Sequence, residues 1–252
     1  MANKIFIGVG HGGADPGARA NGLVEKDVNL AVALAMRDVL VRHGVAVRMS
    51  RTTDKDDTVQ QEVAECNAYQ PDYAVEVHSN AGGGTGFEAY TYPGSARAVA
   101  LARNIERQVM ALGQTSRGVK QTSRFYWLRK TTAPAVLCEG FFLDGADHQK
   151  FRTPEQQQAL GTAYARGVLQ TLGIAWQQDA PAAEKRYATV DELPADLRPA
   201  IQALVDSGAL RGVGGSRGLD LTYDMARMLV VSKRYTDIEA ATMRPAAQPP
   251  DQ

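Results

Sequence analysis

The chain has 252 residues, enough for one large domain or a medium domain with a small companion. Apolar residues make up 44% and charged residues 22%, a globular balance that excludes wholesale disorder and fibrous structure. Lys+Arg and Asp+Glu number 28 each, so no global basic field exists to hold nucleic acid or an anionic membrane. Cys66 and Cys138 are too few for a disulfide scaffold and read as small buried hydrophobes. No apolar run approaches the ~18 residues of a membrane span, and MANKIFIGVGHGG lacks the pattern of a signal peptide. The expectation is a chain made in the cytoplasm without a signal peptide, with no membrane span and no nucleic-acid partner.

In chain order, Ile5 to Val9 is a short buried strand, followed by a Gly-rich loop over 10–22. Glu25 to His43 is helical, with Val28, Val32, Ala35 and Val39 on one face and Gly44 as its stop. Val45 to Met49 is a strand, Thr58 to Tyr69 a helix, and Tyr73 to Ser79 a third strand. Phe87 to Tyr92 alternates like an edge strand. Ser95 to Leu112 is a helix capped by Ser95. Phe125 to Leu128 and Ala135 to Cys138 read as strands, and Pro154 to Leu172 as a last helix with Pro in its first turn. Strands alternating with helices predict an α/β fold, a mostly parallel twisted sheet flanked by helices. That domain spans 1–174. Residues 175–188 read as a linker, 189–236 as a small α+β module and 237–252 as a flexible tail. The module is read as two short helices around a Gly-rich turn (212–218). The first is Pro199 to Asp206; the second is capped by Thr222 and carries Met225, Met228 and Leu229.

The four histidines divide by position. His43 lies at a helix C-terminus, where a positive ring suits the dipole, and His148 lies in a polar segment where exposure is expected. His11 follows the first strand and His78 ends the third, and ligands of parallel sheets gather beyond such strand ends. Glu25 opens the first helix from the same rim, and Glu139 follows the Ala135–Cys138 strand. Two imidazoles and one carboxylate are a catalytic zinc set that leaves a position for water, and Glu139 is then free as a general base. Other readings of the same residues stay open: a phosphate cradle for GVGHGGADPG, and first-turn dipole decoration for Glu25. Cys138 should point away from Glu139, because neighbours on a strand face opposite sides.

HGGADPGA (11–18), GLVEKDVNLAVA (22–33), Ser50-Arg51-Thr52-Thr53-Asp54, VHSNA (77–81) and AVLCEGFFLD (135–144) occur in this order. Together they resemble the zinc-dependent N-acetylmuramoyl-L-alanine amidases over about residues 4–173. The resemblance implies peptidoglycan as substrate, cleaved between muramic acid and the first stem residue. It also implies Zn2+ on His11, Glu25 and His78, with Glu139 as the catalytic glutamate. Glu76 and Asn80 share the His78 face of their strand, and Glu76 departs from the small residue often found there. It reads either as an orienting group for a ligand or as a carboxylate paired with a nearby Arg or Lys. Lys120 and Arg124, in a basic stretch with Arg117, are candidates for binding stem carboxylates; a solvated basic loop is the alternative.

The C-terminal module resembles, more weakly, the small wall-recognition modules of phage lysins. Homodimerisation through Met225, Met228 and Leu229 is the competing use of that face. A phage endolysin-like enzyme, released to act on the cell wall, is the expected biology. A zinc peptidase cutting peptide crosslinks and a non-catalytic wall-binding protein are the rivals.

Overall fold

The computed structural model describes residues 3–177, 187–193 and 197–210, with the isolated positions Leu219, Leu221, Met225, Ala226 and Leu229. The chain divides into two compact units, Met1–Gln177 and Gln178–Gln252. In the first unit the elements are β1 (Lys4–Val9), β2 (Arg19–Ala20), β3 (Leu23–Val24), α1 (Glu25–Arg42), β4 (Ala46–Met49) and α2 (Val59–Tyr69). There follow β5 (Tyr73–Asn80), β6 (Phe87–Thr91), α3 (Ala96–Met110), β7 (Ser116–Gln121), α4 (Tyr126–Lys130), β8 (Ala135–Phe142) and α5 (Pro154–Leu172).

Six strands form one sheet in the order β4-β1-β5-β8-β6-β7, and β2 and β3 form a separate small hairpin. β4, β1, β5 and β8 are parallel; β6 runs antiparallel to β8 and carries β7 parallel beside it. The mostly parallel sheet flanked by helices is therefore as expected.

Three local expectations are corrected. Phe87–Thr91 is an interior strand, because β7 takes the edge; the SRGVKQ sequence of β7 carries no apolar alternation to announce it. Phe125–Leu128 is not a strand, since Tyr126–Lys130 is one helical turn. A four-residue apolar run has no period by which helix and strand differ; burial of Trp127 and Leu128 against α2 decides. The last strand runs on to Phe142, which leaves Glu139 inside it rather than beyond it. Ser95 sits at the N-cap of α3, but its side chain makes no capping bond.

Alternation sorts the strands into two faces. Ile5, Ile7, Val9, Val75, Val77, Val136 and Cys138 pack with α1, α3 and α5 in the main core. Phe6, Ala74, Ala135 and Leu137 pack with Val63 and Cys66 of α2 and with Trp127 and Leu128 of α4. This second cover stops at Leu137. The same face continues through His78 on β5, Glu139 on β8 and Glu88 on β6, beyond the apolar cover. The unequal layers are what leave a rim of polar side chains accessible.

In the second unit, α6 (Arg198–Asp206) begins one residue before its predicted start. A bridge pairs Tyr187 with Leu221, and Leu193, Leu197, Ile201, Leu219, Leu221 and Ala226 form a small core. Met225 is 43% exposed and Leu229 packs on that core. Thr222, Met228, the 212–218 turn and the 237–252 tail lie outside the described residues.

Candidate metal centre and active site

β1 ends against a polar clamp. Arg51, only 2% exposed, donates to the carbonyls of Val9, Gly10 and Lys26 at 3.2, 3.3 and 2.7 Å. The next residue, His11, has φ 65, a left-handed conformation that a non-glycine residue adopts only when its surroundings impose it. The loop is held from below, where Gly13 N–H donates to Asp54 and Ala14 N–H to Asp56, each at 2.7 Å. Gly10 must be glycine, since a β-carbon there would lie 2.2 Å from the His78 ring. Gly17 (φ 62) leaves the same kind of room for Glu25, whose Oε2 would be 2.6 Å from its β-carbon.

Glu25 is delivered by the β2–β3 hairpin, which turns directly into α1. Its carboxylate accepts from Ala18 N–H at 2.9 Å and from Ser79 N–H at 3.2 Å. It also sits between the two rings, with Oε2 3.2 Å from His11 Nε2 and Oε1 3.1 Å from His78 Nδ1. The other ring nitrogens face carboxylates: His11 Nδ1 is 2.8 Å from Asp15, and His78 Nε2 is 3.5 Å from Glu76. Burial opposes the charge on Glu25, but the two imidazoles hold its carboxyl well below the usual range. Glu25 in turn raises His11, and together with Glu76 it raises His78 against burial.

His11, Glu25 and His78 are the group that could hold a metal ion among the described residues, with one donor atom from each inside 4.8 Å of the others. Zinc bonds of about 2.0–2.2 Å at tetrahedral angles put neighbouring donors roughly 3.3 Å apart. The two donor pairs that meet at Glu25, at 3.2 and 3.1 Å, fit that spacing.

Glu139 stands beside His78 across the β5–β8 pair and opposite Glu88 of β6, on one face of the sheet. Its Oε2 is buried without a hydrogen-bond partner, and burial pushes its carboxyl up to about 7 against the pull of His78. Glu88 organises the adjoining rim. It accepts from Asn80 at 2.9 Å, Tyr90 at 2.8 Å, Arg117 at 2.8 Å and Lys120 at 2.5 Å. Burial notwithstanding, Lys120 and Arg117 hold it down to about 2. Lys120 and Arg117 are thus already paired within the protein, and Arg124 is exposed on the turn before α4.

Glu76 is 2% exposed and lies against Glu62, 4% exposed, which accepts from Val9 N–H at 3.0 Å. Among the described residues the ion pair of Glu76 is with His78 Nε2 at 3.5 Å and not with a lysine or arginine, which favours the orienting reading. Burial, then the neighbouring Glu76 charge, pushes Glu62 up to about 9. The Cys138 thiol faces the main core, and burial pushes it far up; it is no nucleophile. His43 Nδ1 is bonded to Val39 O at 2.8 Å and its ring stacks on Trp176, a structural role. His148 is half-buried rather than exposed, with Nδ1 2.7 Å from Gly145 O.

Arg51, Asp15, Glu62 and Glu88 escaped sequence reasoning as parts of this site. Glu88 had a usable signal, since it shares a strand face with Tyr90 in an alternating segment. Asp15 had one as well, four residues after His11. Arg51 stood in the Ser50–Asp54 motif without a role of its own, and Glu62, which acts through neighbours on other elements, had no signal.

A mostly parallel α/β sheet with two histidines and a glutamate converging at its carboxyl rim, a group that could hold a metal, and a buried glutamate beside them is an arrangement suited to hydrolysis. The chain belongs to the N-acetylmuramoyl-L-alanine amidase family, which residues 5–170 match, and is a peptidoglycan amidase. It is 39% identical over 176 residues to the N-acetylmuramoyl-L-alanine amidase CwlM of Bacillus licheniformis, covering 68% of this chain and 69% of that protein. It is 30% identical over 184 residues to the endolysin of Bacillus phage SPP1, covering 69% and 68%. Among solved structures, the amidase AmiC2 of Nostoc punctiforme superposes with a TM-score of 0.64 at 30% identity, over 68% of this chain and 97% of that one.

Proposed function

We propose that this amidase is zinc-dependent, with His11, Glu25 and His78 as the protein ligands and Glu139 as the general base and acid. The observation that carries the reading is the convergence of His11 Nε2, Glu25 and His78 Nδ1 beside a buried, unpartnered Glu139 carboxylate. A zinc ion held there would supply Lewis acidity for the scissile carbonyl and for water. The chain supplies the rest. Asp15 and Glu76 fix which nitrogen of each imidazole faces the centre. Glu139, poised near neutrality, takes a proton from the attacking water and passes it to the leaving amine of the stem peptide. Asn29, 0% exposed, donates to Gly10 O and accepts from Ser79 Oγ, which ties the β1 and β5 ends together. A lytic role on the wall after release from the cytoplasm is part of this reading, supported by the likeness to the phage SPP1 endolysin. So is wall binding or self-association by the second unit.

Glu139→Gln keeps the shape of the site and removes the proton acceptor. It should retain one zinc per chain by metal analysis while turnover falls ~10²-fold or more. Normal lysis by that variant would refute the role of Glu139. Mass spectrometry of digested wall separates the bond cut: an amidase frees intact stem peptides, whereas a crosslink peptidase leaves stems on the glycan.

A further inference from the structure

His11 and Glu25 are joined by one stretch of chain, the loop after β1 and the β2–β3 hairpin. The loop closes on itself. Gly12 and Asp15 exchange both backbone hydrogen bonds, at 2.9 and 3.0 Å, and the Asp15 carboxylate accepts from Gly17 N–H at 3.0 Å. These bonds shape the loop without fixing where it lies against α1, which carries Glu25.

Lys26 supplies that tie. It follows Glu25 in the first turn of α1 and reaches the loop at two places. Its backbone N–H donates to Pro16 O at 3.2 Å, and its ammonium donates to Gly13 O at 2.8 Å. The ammonium also donates to Asp54 Oδ2 at 2.7 Å, while Asp54 Oδ1 accepts from Gly13 N–H at 2.7 Å. One ion pair thus grips Gly13 at both its N–H and its carbonyl. The loop is seated closely on the segment after β4. A β-carbon at Gly13 (φ 55) would lie 2.2 Å from Asp56 Oδ1, and one at Gly12 would lie 2.4 Å from the Lys55 carbonyl. Lys26 is anchored in turn, since its own carbonyl accepts from Arg51 at 2.7 Å.

The Lys26 and Asp54 side chains are 15% and 48% exposed, and the charge of such a pair contributes little to stability. A lysine in the first turn of a helix also opposes the dipole, which favours acids there. Neither consideration explains the placement of Lys26, whereas its hold on Gly13 does. His11 keeps a left-handed backbone, a state that persists only where the surroundings over-determine it.

We propose that the Lys26–Asp54 pair is a positioning element that sets His11 against Glu25, holding His11 Nε2 and Glu25 Oε2 at the 3.2 Å spacing that a shared metal ion needs. The proposal rests on the zinc reading of the centre. Neither residue belongs to the group that could hold the ion, so both act through the loop. Groups that orient ligands in this way typically account for roughly 10–100-fold in metal affinity.

The test is the zinc affinity of the full chain, read by competition with a chelating dye, with the melting temperature of each zinc-free variant measured beside it. Lys26→Met removes both ammonium bonds and should weaken zinc binding about tenfold or more. Lys26→Arg keeps a donor for Gly13 O and Asp54 and should stay within about threefold of the native chain. Asp54→Asn, which keeps an acceptor for Gly13 N–H but not the charge, should fall between the two, and it carries the comparison if Lys26→Met does not fold. Thr153→Ala lowers stability far from the centre and should leave zinc affinity unchanged. Zinc affinity that is lost in His11→Ala but native in Lys26→Met and Asp54→Asn, whatever their melting temperatures, keeps the zinc reading and overturns the positioning role. A native chain that binds no zinc overturns both.

Discussion

Glu62 and Glu76 are carboxyls buried against each other beside the centre, a costly arrangement that one retained proton relieves. The consequence for stability has a definite sign. An unfolded chain gives up the Glu62 proton near its ordinary value of 4.5, whereas the folded chain keeps it to about 9. Between those values the folded state binds the extra proton, so stability falls as pH rises through the window. Glu62→Gln keeps an acceptor for Val9 N–H and cannot ionise. Its melting temperature should therefore drop less than that of the native chain between pH 5 and pH 8.5. Identical slopes in thermal unfolding would mean that Glu62 is ionised in the fold. Arg51 is the opposite kind of buried charge. It is spent on backbone carbonyls, those of Val9 and Gly10 at the end of β1, of Lys26 on α1 and of Thr53, and it ties the start of the His11 loop to α1.

At the scale of elements, the site depends on how strands and helices end rather than on their interiors. His11 follows β1, Glu25 is the first residue of α1, and His78 and Glu139 are register partners near the ends of β5 and β8. The helices behind them are conventional, and α5 shows why their bounds were readable. Thr153 caps it with a reciprocal capping box to Gln156, Pro154 opens it, and Gly173 closes it in the left-handed conformation. Thr153→Ala should cost ~1 kcal/mol in chemical denaturation while leaving wall cleavage unchanged. A loss of activity there would mean that α5 does more than back the sheet. β7 and α4 were not readable by the same means. One is a polar, glycine-interrupted strand, and the other is an aromatic run too short to show a period. Both take their form from neighbours distant in sequence: β6 for the first, α2 for the second.

At the scale of the molecule, the first unit carries both larger cores and every residue of the centre. A chain ending at Gln177 should unfold cooperatively and cleave a soluble muropeptide with kcat/KM within about threefold of the full chain, since no catalytic contact is removed. Pelleting with intact walls should be weaker than for the full chain. Equal pelleting would argue against wall targeting by the second unit and leave self-association, which sedimentation reads directly.

Residue types and their order along the chain were enough to identify the alternation of strands and helices, the two histidines at strand ends, Glu25 at a helix start and Glu139 near the last strand. These are local signals, written in periodicity, caps and motifs, and they survive folding unchanged. Only the folded chain decided that Glu25 lies between both rings, that Lys120 and Arg117 are bound to Glu88, and that Glu62 sits behind Glu76. It also decided that a cleft of about 550 Å³ opens beside His11 and His78. Each of these depends on which face of a strand meets which helix. That is settled by packing between segments tens of residues apart, and no window along the sequence contains it.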